Sequence, residues 1–202
     1  VIEKRWAGPC IVAGSGPSLT PEVAAKCRGY PAIAVNDAYR LLTFADVLYA
    51  GDGEWWKVHK GCPDFYGEKW TCLSYPRELK RALAYHYHLQ LAPGHKGEGF
   101  SLEPSHIHWG RSSGAQAINL AILWGARPII LVGFDMNGDH FFGKHPPPLK
   151  RTRDYQGFIE WLRQAARLLP PDIVILNATP GSSLGCFPKV NLEEALNESR
   201  AA

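Results

Sequence analysis

The chain has 202 residues and 46% hydrophobic content, which suits one sizeable core and about one to one and a half domains of ordinary length. Its 22 Lys and Arg against 19 Asp and Glu leave a charge of +3, too small to mark a dedicated nucleic-acid binder or a polybasic membrane anchor; nucleic acid is permitted as a partner but weakly supported. No run of 18 apolar residues occurs and residues 1 to 15 lack a signal-peptide layout, so no membrane span is expected and the expected setting is cytoplasmic. The five cysteines (Cys10, Cys27, Cys62, Cys72, Cys186) are scattered without a C-x-x-C, which favours free thiols over a disulfide framework or zinc knuckle.

Short apolar runs, each followed by a turn signal and a helical pattern, recur along the chain: Cys10 to Ala13, Ala32 to Val35, Asp46 to Ala50, Pro128 to Val132 and Asp172 to Leu176. Runs of this kind without polar alternation suit a parallel sheet covered on both faces. One helix is expected from Ser112 and Ser113 as N-caps to Gly125 as terminator, with Ala117, Ile118, Ala121 and Ile122 as its apolar stripe. A second follows Tyr155, Phe158, Ile159, Leu162, Ala166 and Leu169 and stops at Pro170-Pro171. Between Pro76 and His108 the pattern is mixed, and the alternation Tyr85-His86-Tyr87-His88-Leu89 fits an exposed strand. The expected fold is α/β: a single Rossmann-like domain over residues 1–202 with a mostly parallel, helix-covered sheet.

Five features carry candidate chemistry. The first is Ile11 to Leu19, an apolar strand entering the turn Gly14-Ser15-Gly16-Pro17-Ser18, with Thr20-Pro21 suited to open a helix. Glycines let the backbone approach a ligand and a helix start offers N–H groups to an anion, although this is neither G-x-G-x-x-G nor a P-loop, and a plain tight turn is the alternative. Val35-Asn36-Asp37 and Tyr49-Ala50-Gly51-Asp52 end the next two strands, which would bring Asn36, Asp37 and Asp52 to the same crevice; any one alone is an ordinary cap or turn residue. Gly110-Arg111-Ser112-Ser113-Gly114 opens the Ile118 helix and can hold a phosphate or merely cap.

The fifth feature runs from Gly133-Phe134-Asp135 through Asp139-His140, Lys144-His145 and Pro146-Pro147-Pro148 to Arg151 and Arg153. A histidine there can serve as general acid or base, and Asp135 with Asp139 can share a divalent cation such as magnesium. The same segment, Asn137 to Arg153, has hinge-like Gly138 and Gly143 beside a stiff proline arm and is expected to be a mobile cover; a solvated connection is the alternative. The pairs His86 with His88 and His106 with His108 fit surface or packing roles better than metal spacing, and Trp55-Trp56 either walls a ligand or covers the sheet.

Taken together, Ala13 to Leu19, Val35-Asn36, Ser112-Ser113-Gly114, Gly133-Phe134-Asp135, Asn177 to Pro180 and Ser182-Ser183-Leu184 resemble the bacterial lipooligosaccharide sialyltransferases in order and spacing. They are also similar to the archaeal-type 6-hydroxymethylpterin diphosphokinases and to a related group common in phage and prophage genomes. The sialyltransferase resemblance implies that Gly14, Ser15, Gly16 and Asn36 bind the nucleotide of an activated sugar, that Ser113 and Asp135 belong to the site, and that His145, with His140 as alternative, is the general base. Ser15 stands where the sialyltransferases carry Asn, and Gly51 or Asp52 replaces a second nucleotide-binding Asn.

The reading is therefore a transferase using a nucleotide-activated donor, most simply a nucleotide sugar, with a histidine base. Its nucleotide-binding residues would be Gly14, Ser15, Gly16, Asn36, Asp37, Asp52, Ser112, Ser113 and Gly114, and its catalytic group His145, His140 and Asp135. The alternatives are magnesium-dependent pyrophosphoryl transfer to a pterin-like acceptor and a non-catalytic nucleotide-binding protein of the phage group. No cofactor is certain, the acceptor is unassigned, and self-association into a homo-oligomer is allowed.

Overall fold

A computed structural model describes residues 1–149 and 154–201. In chain order the elements are β1 (Cys10–Ala13), α1 (Pro21–Lys26), β2 (Ala32–Val35), β3 (Val47–Tyr49), α2 (Gly53–Val58), β4 (Glu68–Thr71), α3 (Arg77–Tyr87), β5 (Gln90–Leu91), β6 (Gly94–His95), β7 (Ile107–His108), α4 (Ser113–Leu123), β8 (Ile129–Val132), α5 (Tyr155–Arg167), β9 (Ile175–Asn177) and α6 (Leu192–Ala201). A short 3-10 turn, Asn36–Arg40, follows β2.

Seven strands form one sheet in the order β5-β4-β3-β2-β1-β8-β9, and every neighbouring pair is parallel. The chain steps outward from β1 to β5 and then returns to build β8 and β9 on the other side of β1, so the order reverses between β1 and β8. In an open α/β sheet that reversal opens the strand ends into a crevice. The strands β6 and β7 pair separately, also in parallel. The fold is α/β and Rossmann-like, and no helix among the described residues is long and apolar enough to cross a membrane.

Strands β1, β2, β3 and β8 are buried at every position, which is why their sequences read as continuous apolar runs. Alternate side chains enter two cores: Cys10 and Val12 lie with Ile129 and Leu131 on one face, Ile11 and Ala13 with Ile130 and Val132 on the other. On the first face α4 is buried along nearly its whole length, and Asn119, fully buried within it, is satisfied by three bonds. Its Oδ1 accepts from the N–H groups of Ser101 and His108, and its Nδ2 donates to the Ser101 carbonyl.

Helix starts follow the sequence signals. Thr20 accepts from the Val23 N–H to cap α1, with Pro21 in the first turn, and Ser112 accepts from the Ala115 N–H to cap α4. Asp154 caps α5 by accepting from Gly157 N–H, and Ile159, Leu162 and Ala165 form the buried stripe of that helix.

The expected strand at Tyr85 to Leu89 is instead the end of α3, whose cap His88 takes a left-handed φ of 55°. Arg77 to Ala84 contains strong helix formers with Leu83 and Ala84 on the buried side, and that propensity carries through the alternating residues. The strands expected at Asp46 to Ala50 and Asp172 to Leu176 are shorter or shifted, at Val47–Tyr49 and Ile175–Asn177; Asp46 uses its carboxylate to accept the Ala32 N–H at the sheet's lower end.

Asn119→Leu should lower the free energy of unfolding by about 3 kcal/mol in urea titrations, because it strands two N–H groups and a carbonyl in the core. A loss below about 0.5 kcal/mol would show that water reaches those groups.

Candidate functional site

The C-terminal ends of β2, β3 and β4 open beside the start of α4, and the loop after β8 closes over them. Together they enclose a cavity of about 900 Å³. That is large for one small ligand and ample for a nucleotide. Its walls are Asn36 after β2, Asp52 after β3, Ser74 and Tyr75 after β4, Trp109 to Ser113 at the head of α4, and His140, Lys144 and His145 from the covering loop.

Asn36 sits in the left-handed region with φ of 51°, a conformation Asn tolerates better than most side chains. Its Oδ1 is buried, and among the described residues it meets no hydrogen-bond donor. A buried acceptor without a partner costs about 1–3 kcal/mol.

At the head of α4, Ser113 Oγ accepts the Gly51 N–H at 3.0 Å. Gln116, one turn on, accepts from the Tyr49 hydroxyl and donates to the Trp109 carbonyl. Gln116 Oε1 occupies the space where a side chain on residue 51 would lie, so Gly51 is the residue that lets α4 approach β3. The positive end of the helix dipole is thereby held at the cavity wall. Arg111 also lines the cavity and is paired with Asp154 at 2.7 Å on the surface.

The covering loop is tied down through Ser15, whose carbonyl accepts from the Phe141 N–H at 3.1 Å and from His140 Nδ1 at 3.2 Å. A carbonyl can only accept, so His140 carries a proton on Nδ1, and in the neutral ring Nε2 holds the lone pair. Phe142 stacks on His140 with ring centroids 4.9 Å apart, and the His145 ring meets His140 at 4.5 Å. Two imidazoles thus line the same cavity as Asp52 and Tyr75. Tyr155 and Phe158 of α5 complete this wall, and the Tyr155 hydroxyl donates to the Gly138 carbonyl. Leu149 is buried at its edge, while Lys150, Arg151, Thr152 and Arg153 lie outside the described residues.

Of the residues expected from the sequence, Asn36, Asp52, Ser112, Ser113, Asp139, His140 and His145 line this cavity. Gly14, Ser15, Gly16, Asp37, Gly114 and Asp135 are absent from its lining. Gly14 and Gly16 pack on the turn after β8: Gly16 N–H donates to the Gly133 carbonyl, and a Cβ on Gly16 would overlap the Asp135 carboxylate. Gly114 packs against the Phe134 ring.

Asp135 is 5% exposed and accepts from both the backbone N–H and the hydroxyl of Ser18. Burial raises its pKa, and the Ser18 bonds offset only part of that rise. Asp139 is exposed, and no cluster of three or more metal-ligating side chains occurs among the described residues. Asp139 lines the cavity, whereas Asp135 lies outside its lining and bonds Ser18. Asp52 caps α2 through the Glu54 N–H while lining the cavity.

Asp37 is also turned inward. Its carboxylate accepts from Trp55 Nε1 at 2.9 Å and pairs with His59 Nε2 at 3.1 Å, and the His59 ring stacks on Trp55 at 4.1 Å. Burial opposes the Asp37 charge, but the bonds from His59 and Trp55 and the fields of His59 and His145 outweigh it and hold the carboxyl below its ordinary value. Burial likewise opposes a charge on His59, and the Asp37 bond, the Trp55 carbonyl and the Asp37 charge hold its pKa above the usual imidazole value. Sequence reading missed His59, whose signal is its i,i+4 spacing from Trp55 at the C-cap of α2. It also missed Ser74, Tyr75, Trp109 and Tyr155, for which no motif spoke.

No protein-family model matches the chain, and no curated protein matches it. The motif likeness to the sialyltransferases, the diphosphokinases and the phage group thus has no family match behind it. Among solved structures, the MAf glycosyltransferase from Magnetospirillum magneticum AMB-1 superposes over 98% of this chain with a TM-score of 0.60 and 16% identity. The chain spans 38% of that protein's length. At this identity the likeness is one of fold.

The Asp37–His59 pair sets a pH window. The raised His59 pKa contributes stability that is complete below the ordinary imidazole value of about 6.5 and is lost as pH rises through the raised value. The lowered Asp37 pKa contributes stability that is complete above about pH 4 and is lost as pH falls through the lowered value. His59→Phe, which keeps a ring on Trp55, should therefore cost most between about pH 5 and 6 and progressively less toward pH 9, read as the difference in urea unfolding free energy from wild type. A cost independent of pH would mean that the hydrogen bonds of the neutral imidazole, and not the ion pair, hold this corner.

Proposed function

We propose that the chain is a nucleotide-binding, transferase-like domain that takes a nucleotide-activated sugar and passes the glycosyl group to an acceptor hydroxyl, with a cavity histidine as general base. The observation that carries this reading is one cavity lined by three unlike groups: Asn36, whose buried Oδ1 meets no donor among the described residues, the head of α4 at Ser112-Ser113, and the imidazoles of His140 and His145. The structural neighbour is a glycosyltransferase, which supports the same reading.

Each group has a distinct task. Asn36 Oδ1 accepts an N–H of the base, which relieves its desolvation; the α4 N–H groups and Ser113 receive the donor phosphate at the positive end of the helix dipole. The acceptor oxygen attacks the anomeric carbon as its proton passes to an imidazole, the bond from that carbon to the phosphate oxygen breaks, and the nucleotide leaves with the electron pair. Closure of the segment from Asn137 to Leu149 over the donor would keep water from competing with the acceptor. Gly14, Ser15 and Gly16 support the site from behind: Ser15 fixes His140 by its carbonyl and donates its Oγ to the Val35 carbonyl, next to Asn36.

A panel of nucleoside mono- and diphosphates and nucleotide sugars should contain one that raises the melting temperature by roughly 5 °C or more at 100 times its Kd, since such binding adds about 2.7 kcal/mol. With that donor, His145→Ala or His140→Ala should leave nucleotide binding within a few-fold while lowering turnover about 100-fold. No stabilisation by any nucleotide would sink the reading. Normal turnover in both variants would remove the histidine mechanism, and nucleotide binding without transfer to any acceptor would leave a nucleotide-binding protein.

A further inference from the structure

A second recess, of about 350 Å³, lies on the outer side of α5 against the loop Gly97-Glu98-Gly99. It is lined by Trp161, Gln164 and Arg167 of α5, by Leu168 at its C-cap and by Glu98. Trp161 is half-buried and meets Phe100 edge-on at 5.4 Å, so the indole is held by the core while contributing to the recess. The loop opposite is fixed as well: His108 Nδ1 donates to the Gly99 carbonyl at 3.0 Å, and Gly97 lies so close to the His108 ring that a Cβ there would overlap it.

The chemistry of these groups narrows the occupant. Glu98 and Arg167 line the same small space, yet neither has a side-chain hydrogen bond or ion pair among the described residues. A carboxylate that only accepts and a guanidinium that only donates, beside an indole and the Leu168 side chain, suit a ligand carrying both O–H donors and oxygen acceptors around an apolar face. An anion would be repelled by Glu98 and a simple cation by Arg167. A purely apolar ligand would bury both charged groups without partners. A neutral pyranose meets all of these conditions.

We propose that this recess is a subsite for a neutral saccharide, with one sugar ring against Trp161 and its hydroxyls shared between Glu98, Gln164 and Arg167. Its position adds a second point. The six-membered ring of Trp161 reaches Gly110, where a Cβ would lie 3.3 Å from its Cη2, and Gly110 lines the 900 Å³ cavity. The indole therefore separates the recess from the larger cavity, which places the saccharide where an acceptor chain would lead toward the donor. That placement rests on the transferase reading, whereas the saccharide chemistry does not.

Saturation-transfer NMR on the whole chain, with methyl glucoside, methyl galactoside and methyl N-acetylglucosaminide as probes, tests the proposal directly. At least one glycoside should bind in the millimolar range, and Trp161→Leu, Arg167→Gln and Glu98→Gln should each weaken it about ten-fold. Glu98 and Arg167 are exposed, so their variants report on binding even if the Trp161 variant misfolds. The nucleotide-dependent melting shift should be unchanged in the Arg167 and Glu98 variants. Absence of binding by every probe, binding that persists in both exposed-residue variants, or displacement of the glycoside by a nucleotide would each overturn the subsite. If no nucleotide binds but the glycoside does, the transferase reading fails and the saccharide subsite stands.

Discussion

The close interlock of two turns at the sheet's reversal point governs where anything else can bind. Gly14 N–H donates to the Val132 carbonyl and Gly16 N–H to the Gly133 carbonyl, while a side chain on Gly14 would strike Gly133 and one on Gly133 would strike Gly14. Ser18 then clasps Asp135 by two hydrogen bonds. At the reversal between β1 and β8 the two turns therefore pack directly on each other. The free space is displaced sideways, over the ends of β2, β3 and β4, where Gly51 admits the head of α4. Glycines at strand ends serve close approach in either case; here the approaching partner is a neighbouring turn.

Ser15 transmits that interlock to the cavity. Its hydroxyl donates to the Val35 carbonyl at 3.0 Å, fixing the end of β2 one residue before Asn36, and its carbonyl receives Phe141 and His140. The Arg40 guanidinium lies 5.4 Å from the Phe142 ring centroid and adds a cation–π contact to the same loop. One residue in a tight turn thus sets the relative position of the two cavity walls that carry Asn36 and the histidines. Its contribution is positional and comes through main-chain and hydroxyl bonds, without a place in the cavity lining.

The legible part of the fold was the part governed by burial. Strands β1, β2, β3 and β8 are apolar because both faces are covered, and the caps at Thr20 and Ser112 act as their residue types suggest. Strand β4 escaped notice because Glu68, Lys69 and Trp70 sit toward the open edge, where burial imposes no apolar run: Glu68 bonds Arg5, Trp70 and Gln90 instead. Cavity-lining residues such as Asn36 and Asp52 were legible as strand ends, but the direction of each side chain was not. Asp37 and Asp135 end apolar strands just as Asn36 does, yet both turn away from the cavity because a local donor set, Trp55 and His59 for one and Ser18 for the other, captures their carboxylates. Such capture depends on residues 18 to 117 positions distant in sequence, which spacing does not reveal.

The contrast between those aspartates and Asn36 separates satisfied from unsatisfied polarity at one sheet edge. A buried carboxylate is tolerated when donors surround it, and Asp37 and Asp135 each have two. Asn36 has the same address and a buried oxygen with no donor among the described residues, in a left-handed backbone conformation that brings its own cost. Folding alone would favour a residue without either penalty there, such as Gly at that φ. An N–H or O–H brought to that oxygen would offset the first penalty, so at this edge the unsatisfied position is the one beside the cavity rather than either aspartate.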